Sequence, residues 1–212
     1  MDANRVKRNA LLSQKIIKGL ESRNMEGFYA ETKEEALKIA LSLIPEGSSV
    51  GWGGSVSITE IGLKQAIIDG NYRELNRDVC TTPEEKKAVE QATFGADYFL
   101  SSSNAITEDG ILVNIDGNSN RVAAIAYGPD HVLMVVGMNK VAKDVDAAIY
   151  RARNEAAPIN TQRFPIETPC KKTGSCMNCM SKDTICCQFL TTRFSRHAGR
   201  IKVILVGEDL GF

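Results

Sequence analysis

Residues 51–57 combine glycines and serines in a pattern that is typical of an anion-binding turn. They follow a short apolar run and precede a predicted helix. Glycine has no Cβ atom, so a phosphate or a carboxylate can approach the backbone closely. Backbone N–H groups at a helix start attract an anion, and serine hydroxyls can donate further hydrogen bonds. The predicted ligand-binding residues of this turn are Gly51, Gly53, Gly54, Ser55 and Ser57.

The turn does not specify a nucleotide. It has neither the closing Gly-Lys-Ser/Thr of a Walker sequence nor the spacing of a GxGxxG fingerprint. Glycines also occur in turns that serve only the backbone, and this alternative stays open. Trp52, inside the turn, can stack on a ligand or fill the core as an ordinary buried aromatic residue.

A second set of polar residues surrounds the apolar run at residues 111–115. Glu108 precedes the start of this run, and a carboxylate there can act as nucleophile or general base if a pocket desolvates it. The alternative is a solvated turn carboxylate. Asp116-Gly117-Asn118 has the composition of a hairpin turn. The same loop offers three polar side chains to a ligand, those of Asn118, Asn120 and Arg121.

Lys140 follows the apolar run at residues 132–137, VLMVVG. Side chains at the carboxyl ends of strands in α/β sheets often contact ligands, so Lys140 is a candidate catalytic residue together with Glu108. A solvated lysine after a turn explains the position equally well.

Five of the six cysteines lie within residues 170–187, a crowding that is unusual for a disulfide framework. Cys176 and Cys179 form a Cys-x2-Cys pair, with Cys170 and Cys186 on either side. Four thiolates suit tetrahedral zinc or an iron–sulfur cluster, although the spacing matches neither ferredoxin signature. A redox-active or disulfide-forming loop and a set of inert thiols are the alternatives.

The composition indicates a globular protein with one main domain. Hydrophobic residues make up 43% and charged residues 25% of the 212 positions, and 26 basic residues balance 26 acidic ones. Without a long basic run, nucleic acid is not an expected partner. The first residues are charged and no segment reaches transmembrane length, so we expect a cytoplasmic protein without a membrane partner.

Helices alternate with strands in the first half of the chain, and strands cluster in the second. We expect helices at residues 4–22, 32–44, 57–68, 82–93 and 141–155, with capping boxes at Thr32/Glu35, Ser57/Glu60 and Thr82/Glu85. We expect strands at residues 27–31, 48–52 and 200–206, and four consecutive strands in DYFLSS, GILVNID, RVAAIAYG and HVLMVVG. The fold class is therefore α/β, with a mixed, largely parallel central sheet flanked by helices and an N-terminal helical extension.

Three segments resemble the LUD-domain, or lactate-utilisation, proteins, and the resemblance covers nearly the whole chain. They are SVGWGGSVSITEIGL; TEDGILVNIDGNSNRVAAIAYGPDHVLMVVG with NK after it; and PCKKTGSCMNC with the closing RIKVILVGEDLGF. The resemblance implies an N-terminal helix at residues 1–24 and a LUD domain at residues 25–212 that includes the cysteine-rich loop, residues 169–187. It also implies the fold of the ribose-5-phosphate isomerase, glucosamine-6-phosphate deaminase and CoA-transferase superfamily.

The resemblance further implies how the site is divided. The glycine turn would hold a phosphate or CoA, Glu108 and Gly110 would lie in a second ligand loop, and Lys140 would follow a third. The family is associated with oxidation of lactate to pyruvate beside iron–sulfur partner subunits, so we expect a small carboxylate, phosphate or CoA-type ligand and an iron–sulfur redox partner protein. A stand-alone isomerase or CoA-transferase-like enzyme, a metal-stabilised interaction module and a homo-oligomer are alternatives that stay open.

Overall fold

Ten β-strands and nine α-helices build residues 2–212, which the computed structural model describes. The strands are β1 (Glu26–Ala30), β2 (Ser49–Trp52), β3 (Arg73–Leu75), β4 (Tyr98–Ser101), β5 (Ala105–Thr107), β6 (Leu112–Asp116), β7 (His131–Gly137), β8 (Val141–Ala142), β9 (Gln188–Thr192) and β10 (Ile201–Val206). The helices are α1 (Ala3–Ser22), α2 (Lys33–Leu43), α3 (Val56–Glu60), α4 (Leu63–Asp69), α5 (Pro83–Ala92), α6 (Asn120–Ala126), α7 (Val145–Arg151), α8 (Ala157–Thr161) and α9 (Pro169–Thr173).

The strands form two sheets. Six parallel strands lie in the order β1-β10-β7-β4-β2-β3, and a smaller sheet has the order β8-β5-β6-β9. All antiparallel pairs, β5 with β6 and β6 with β9, lie in the smaller sheet. The expected α/β class with a largely parallel central sheet is confirmed, although the central sheet is entirely parallel and the mixing of parallel and antiparallel pairs occurs in the smaller sheet, where β5 also pairs with β8 in parallel.

Helices cover both faces of the parallel sheet. Successive residues of a strand point to opposite faces, and in β7 Leu133 and Val135 enter one hydrophobic cluster while Val132 and Met134 enter another. The first cluster includes residues of α2 and α4, and the second includes residues of α1 and α6. The two buried faces explain why β7 is continuously apolar in sequence.

The N-terminal helix α1 is present as expected and packs against the body of the protein. Ile16 and Leu20 are fully buried and belong to the same hydrophobic cluster as β10 residues. Asp2 caps the helix by accepting a hydrogen bond from the Arg5 amide. Among the other predicted caps, Thr82 and Glu85 form the full capping box, whereas Thr32 accepts from Glu35 without the reciprocal bond.

The segment RVAAIAYG was predicted to be a strand and is the helix α6, so that prediction was wrong. Val122 and Ile125 are buried at a spacing of three residues, and a run this short does not distinguish a helix from a strand by periodicity. The preceding turn is not a hairpin, because Asp116 accepts a hydrogen bond from the Val122 amide and leads the chain into α6.

Two helix boundaries also differ from the expectation. Ser55, rather than Ser57, caps α3, and Gly62 ends the repeat expected over 57–68 by adopting a φ of 76° between α3 and α4. The helix predicted at 141–155 begins at Val145 after the Asp144 cap and continues through a π-helical turn, Ala152–Ala156, into α8. Val141 and Ala142 pair with β5 instead.

No helix within residues 2–212 combines the length and the apolar composition required to cross a membrane.

Candidate anion-binding site

A cleft of about 670 Å³ lies at the carboxyl ends of three neighbouring strands of the parallel sheet. The turn after β2 contributes Gly54 to Ser57, the segment after β4 contributes Ser102 to Asn104, and Lys140 follows β7. The loop before α6 and the chain around α8 form other walls. Carboxyl ends of parallel strands meet at one edge, which explains how residues distant in sequence share one cleft.

Lys140 is the most unusual residue of the cleft, because its amino group is buried without a carboxylate partner among residues 2–212. The residue is 3% exposed, and Nζ donates to Ser57 Oγ at 2.9 Å and to Ser102 Oγ at 3.1 Å. Buried lysines are ordinarily paired with an acid. Burial is the largest cause that lowers the pKa of Lys140, the positive charges of Arg151 and Arg121 add to it, and Glu60 opposes it; together they bring the pKa to about 7.

Arg121 adds a second cation with neutral partners. Nη1 donates to Asn114 Oδ1 at 2.7 Å and to the Ser102 carbonyl, and Nη2 donates to Asn104 Oδ1 at 3.0 Å and to the Ile115 carbonyl. Burial lowers the pKa of this guanidinium, and Asp116 partly opposes the effect. The guanidinium is therefore held by four hydrogen bonds, and no direct ion pair within residues 2–212 neutralises its charge.

Arg151 anchors the opposite side of Lys140. Nε donates to the Asn139 carbonyl at 3.1 Å and Nη1 to the Asn104 carbonyl at 2.6 Å, so α7 is tied to the loops that carry the cleft residues. An ion pair with Glu155 at 3.3 Å compensates part of its charge.

The lining of the cleft carries more basic than acidic side chains. Six basic residues line it: Arg77, Lys86, Arg121, Lys140, Arg163 and Lys182. The acidic residues of the lining are Asp78, Asp116 and Asp183. Asp78 is in turn engaged by Lys64 and by Trp52 Nε1, whose hydrogen bonds hold its pKa below the ordinary value although burial acts in the opposite direction. An anion is the ligand that this excess of positive charge favours.

Gly51 in β2 and Gly53 after it permit close approach of neighbouring side chains. A Cβ atom at Gly51 would lie 2.6 Å from Thr93 Cγ2, and one at Gly53 would lie 3.0 Å from Arg121 Cγ. At Gly54 the nearest atom would be Arg77 Nη2 at 3.4 Å, an ordinary contact. Gly53 thus allows the backbone to lie against Arg121, which lines the cleft.

The sequence pattern of the LUD domain matches residues 13–206. The chain belongs to the LUD domain family. No curated protein is significantly similar to it. The crystal structure of a DUF162 family protein from Deinococcus radiodurans has a similar fold, with a TM-score of 0.52 and 12% identity over 93% of this chain and 98% of that one. The family as a whole is associated with lactate utilisation.

Most residues predicted to bind a ligand lie at the cleft of this LUD domain. Those in its lining are Gly54, Ser55, Ser57, Asn118, Asn120 and Arg121, and the candidate catalytic residue Lys140 lines it too. Gly51 and Gly53 are not among the lining residues, and Trp52 is 3% exposed with its indole N–H donating to Asp78. The contacts of Trp52 are those of the core aromatic interpretation.

Glu108 and Gly110 lie away from the cleft, beside α1. Glu108 Oε2 accepts from Lys15 Nζ at 2.6 Å and from Lys143 Nζ at 3.0 Å, and these bonds lower its pKa. Gly110 packs against Leu20, where a Cβ atom would be 2.6 Å from the Leu20 amide nitrogen. The structure therefore does not bring Glu108 and Lys140 together in one site, and the ion pairs of Glu108 connect α1 to the turn before β6.

The predicted metal ligands lie between α8 and β9, with Cys170 in the short helix α9 and the other three in the loop that follows it. Cys170 Sγ is 3.3 Å from Thr168 Oγ1, Cys176 Sγ is 3.9 Å from Arg153 Nη2, and Cys186 packs beside Ala152. Burial raises the pKa of the Cys186 thiol to about 11, with smaller effects from the thiols of Cys176, Cys170 and Cys179. No group of three or more His, Cys, Asp or Glu side chains in residues 2–212 is arranged to hold a metal ion. The soft donor set fits zinc or an iron–sulfur cluster, and the metal site stays a prediction.

Sequence reasoning did not identify several further residues of the cleft, among them Ser102, Asn104, Arg163 and Lys182. Ser102 and Asn104 had a usable signal, because the polar run SSSN directly follows an apolar strand. Arg163 and Lys182 had none, since their position depends on how the chain after α8 folds back over the cleft.

Proposed function

We propose that the cleft binds a small anionic ligand, a carboxylate, phosphate or CoA-type compound, and that the protein acts in the utilisation of lactate or a related organic acid. The observation that carries this proposal is the buried Lys140 amine, which has two serine hydroxyls and, in the part of the chain that the structure describes, no acid as partners. An anion at this position would supply the missing counter-charge.

The energetics favour an anion over a neutral ligand. Holding a protonated amine in a buried site without a counter-ion is unfavourable, and an anion would offset that cost as it binds. Lys140 and Arg121 both interact with the same end of the cleft through Ser102, one at its hydroxyl and one at its carbonyl. A carboxylate or a phosphate group there would be attracted by two fixed cations and by serine hydroxyls.

The dimensions and the rim suit a ligand with more than one polar group. A cavity of 670 Å³ exceeds the volume of a three-carbon acid and falls within the usual range of small-molecule sites. Arg163 and Lys182 belong to the chain that follows α8, and both add positive charge to the lining of the cleft. They would favour phosphate groups on the remote part of a CoA-type ligand.

The role in organic-acid metabolism rests on the family. Oxidation of lactate to pyruvate releases two electrons, and an iron–sulfur partner protein would accept them. We propose that the chain contributes the acid-binding site of such a cytoplasmic system, and that the partner carries the electrons.

Calorimetric titration with inorganic phosphate, L-lactate, pyruvate and coenzyme A tests the proposal. We expect at least one of these anions to bind, and Lys140→Met to weaken that binding by about 3 kcal/mol, roughly 100-fold, because a charged hydrogen-bond donor is lost. Lys143→Met is the matched control, since Lys143 is exposed and pairs with Glu108 outside the cleft. Equal affinity of Lys140→Met and Lys143→Met for the anion would refute the site.

Gly53 gives a second, independent prediction. Gly53→Ala is expected to weaken anion binding about 10-fold, because the added methyl group would meet Arg121 Cγ at 3.0 Å and Phe99 Cζ at 3.2 Å and displace the guanidinium. Gly95→Ala is the control and should change affinity less than about 2-fold, since Gly95 lies outside the lining of the cleft and a Cβ atom there would have no neighbour within 4 Å. The same titrations measure both, with thermal unfolding to verify folding, and an equal loss of affinity in the two variants would contradict the assignment.

A further inference from the structure

We propose that Lys140 is an imine-forming lysine, and that its substrate is a small carboxylic acid with a ketone carbonyl, of the 2-oxo acid class. The inference rests on the proposed anion site and specifies its chemistry. It follows from the contacts of the amine, from the charges around it and from its place in the lining of the cleft.

The contacts of Lys140 leave its nitrogen available for attack. A neutral amine has two N–H bonds and one lone pair. Ser57 Oγ at 2.9 Å and Ser102 Oγ at 3.1 Å can accept the two N–H bonds, which leaves the lone pair for a ligand. Gly211 covers one side, since a Cβ atom there would lie 3.3 Å from Nζ and 3.0 Å from Ser57 Oγ. The remaining approach is from the cleft that Lys140 lines.

The charges around Lys140 favour the reactive form. Only a neutral amine attacks a carbonyl carbon, and a buried lysine beside other cations loses its proton more readily than one in water. Burial, with Arg151 and Arg121 as the neighbouring cations and Glu60 as the opposing acid, brings the pKa of Lys140 to about 7. A lysine that served only as a fixed cation would be expected to have an acidic partner, and Lys140 has none in residues 2–212.

The same charges select the acid part of the substrate. Arg121 is held by four neutral acceptors, so its positive charge remains available to attract a ligand in the cleft. A carboxylate next to the carbonyl group would be drawn toward this charge, which would direct the carbonyl carbon to Nζ. A simple ketone or aldehyde lacks that interaction and would bind more weakly.

Formation of the imine at Lys140 requires neither an oxidant nor a reductant. The nitrogen lone pair forms a bond to the carbonyl carbon, and the carbonyl oxygen takes a proton, giving a carbinolamine. This oxygen leaves as water after taking a second proton, and the nitrogen, which keeps one hydrogen, forms a double bond to carbon as an iminium ion. One of the two protons comes from the amine and the other from solvent, and the hydroxyls of Ser57 and Ser102 are placed to relay them. The iminium then draws electrons from the adjacent carbon.

Reductive trapping tests the inference. The protein is incubated with pyruvate or 2-oxoglutarate and sodium cyanoborohydride, and the adduct is located by peptide mass spectrometry. We expect one reduced adduct per chain, on Lys140, with L-lactate reducing the yield by competition. Lys140→Arg keeps the positive charge but cannot form an imine, and should give no adduct. Lys143→Met should react as the wild-type protein does.

The outcomes separate this inference from the proposed function. If phosphate or lactate, which have no ketone, binds by calorimetry but no adduct forms on Lys140, the imine is refuted and the anion site remains. An adduct that persists in folded Lys140→Arg, or that spreads equally over surface lysines, also refutes it. If no anion binds and no adduct forms, both proposals fail.

Discussion

Replacement of Lys140 by methionine is expected to stabilise the free protein at neutral pH, although the same change should weaken anion binding. The drop in the pKa of Lys140 from 10.5 to about 7 corresponds to a cost on the order of 5 kcal/mol, because each pKa unit is about 1.36 kcal/mol. Ser57 and Ser102 would each lose a hydrogen bond worth about 1 kcal/mol. A net gain of about 3 kcal/mol in the free energy of unfolding remains.

The pKa of Lys140 determines how the free energy of unfolding changes with pH. The folded-state pKa of Lys140 lies below that of the unfolded chain, so between about 7 and 10.5 the unfolded chain binds a proton that the folded one does not. The stability of the wild-type protein should therefore rise with pH across this window, while below it the full cost is present. Lys140→Met should lack this rise, and Lys143→Met should keep it.

Urea unfolding at both ends of the window measures the effect. The gain in stability of Lys140→Met over Lys143→Met should be largest near pH 7 and should become a loss of about 2 kcal/mol toward pH 10.5, because the two serine hydrogen bonds are lost at every pH. A gain that is absent or independent of pH would show that Lys140 is not the uncompensated buried cation described here.

Substitution of Gly110 by alanine is expected to destabilise the protein by about 2–4 kcal/mol. Gly110 has a φ of 87°, which costs about 1–2 kcal/mol for an L-residue, and its new Cβ atom would lie 2.6 Å from the Leu20 amide nitrogen in α1. Neither Leu20 nor the helix backbone can move easily, because Leu20 is fully buried. Chemical denaturation measures the loss in the free energy of unfolding.

Gly47→Ala is the matched control for this substitution. Gly47 has a similar φ of 80°, but a Cβ atom there would have no neighbour within 4 Å. It should cost only the backbone strain, about 1–2 kcal/mol. If both variants lose the same stability, the close packing of α1 against the Gly110 turn does not contribute.

The sequence predicted the elements whose signals are local. The strand at β7 is continuously apolar because both faces of the parallel sheet are covered, and the Thr82 cap is encoded within four residues. The helix α6 was missed because seven residues with three alanines show no decisive period. The helix predicted over 57–68 is interrupted between α3 and α4 by the left-handed conformation of Gly62, which the spacing of the isoleucines did not reveal.

The site was only partly predictable, for a physical reason. The order of strands in the sheet brings β2, β4 and β7 together, so Ser57, Ser102 and Lys140 meet although they are separated by long stretches of chain. Sequence alone suggested Ser57 and Lys140 individually but could not give their contact. Glu108 looked equally polar in sequence, and the sheet geometry instead directs it to Lys15 and Lys143 beside α1.

The most direct test of the account is the number of protons taken up when an anion binds. Titration with phosphate or L-lactate about one pH unit above the Lys140 pKa, near pH 8, in two buffers of different ionisation enthalpy, measures this number. Because the free Lys140 amine is then largely neutral and a bound anion favours its charged form, we expect uptake approaching one proton per chain in the wild-type protein and in Lys143→Met. Binding without proton uptake, or equal uptake in Lys140→Met, would contradict the placement of the anion at Lys140.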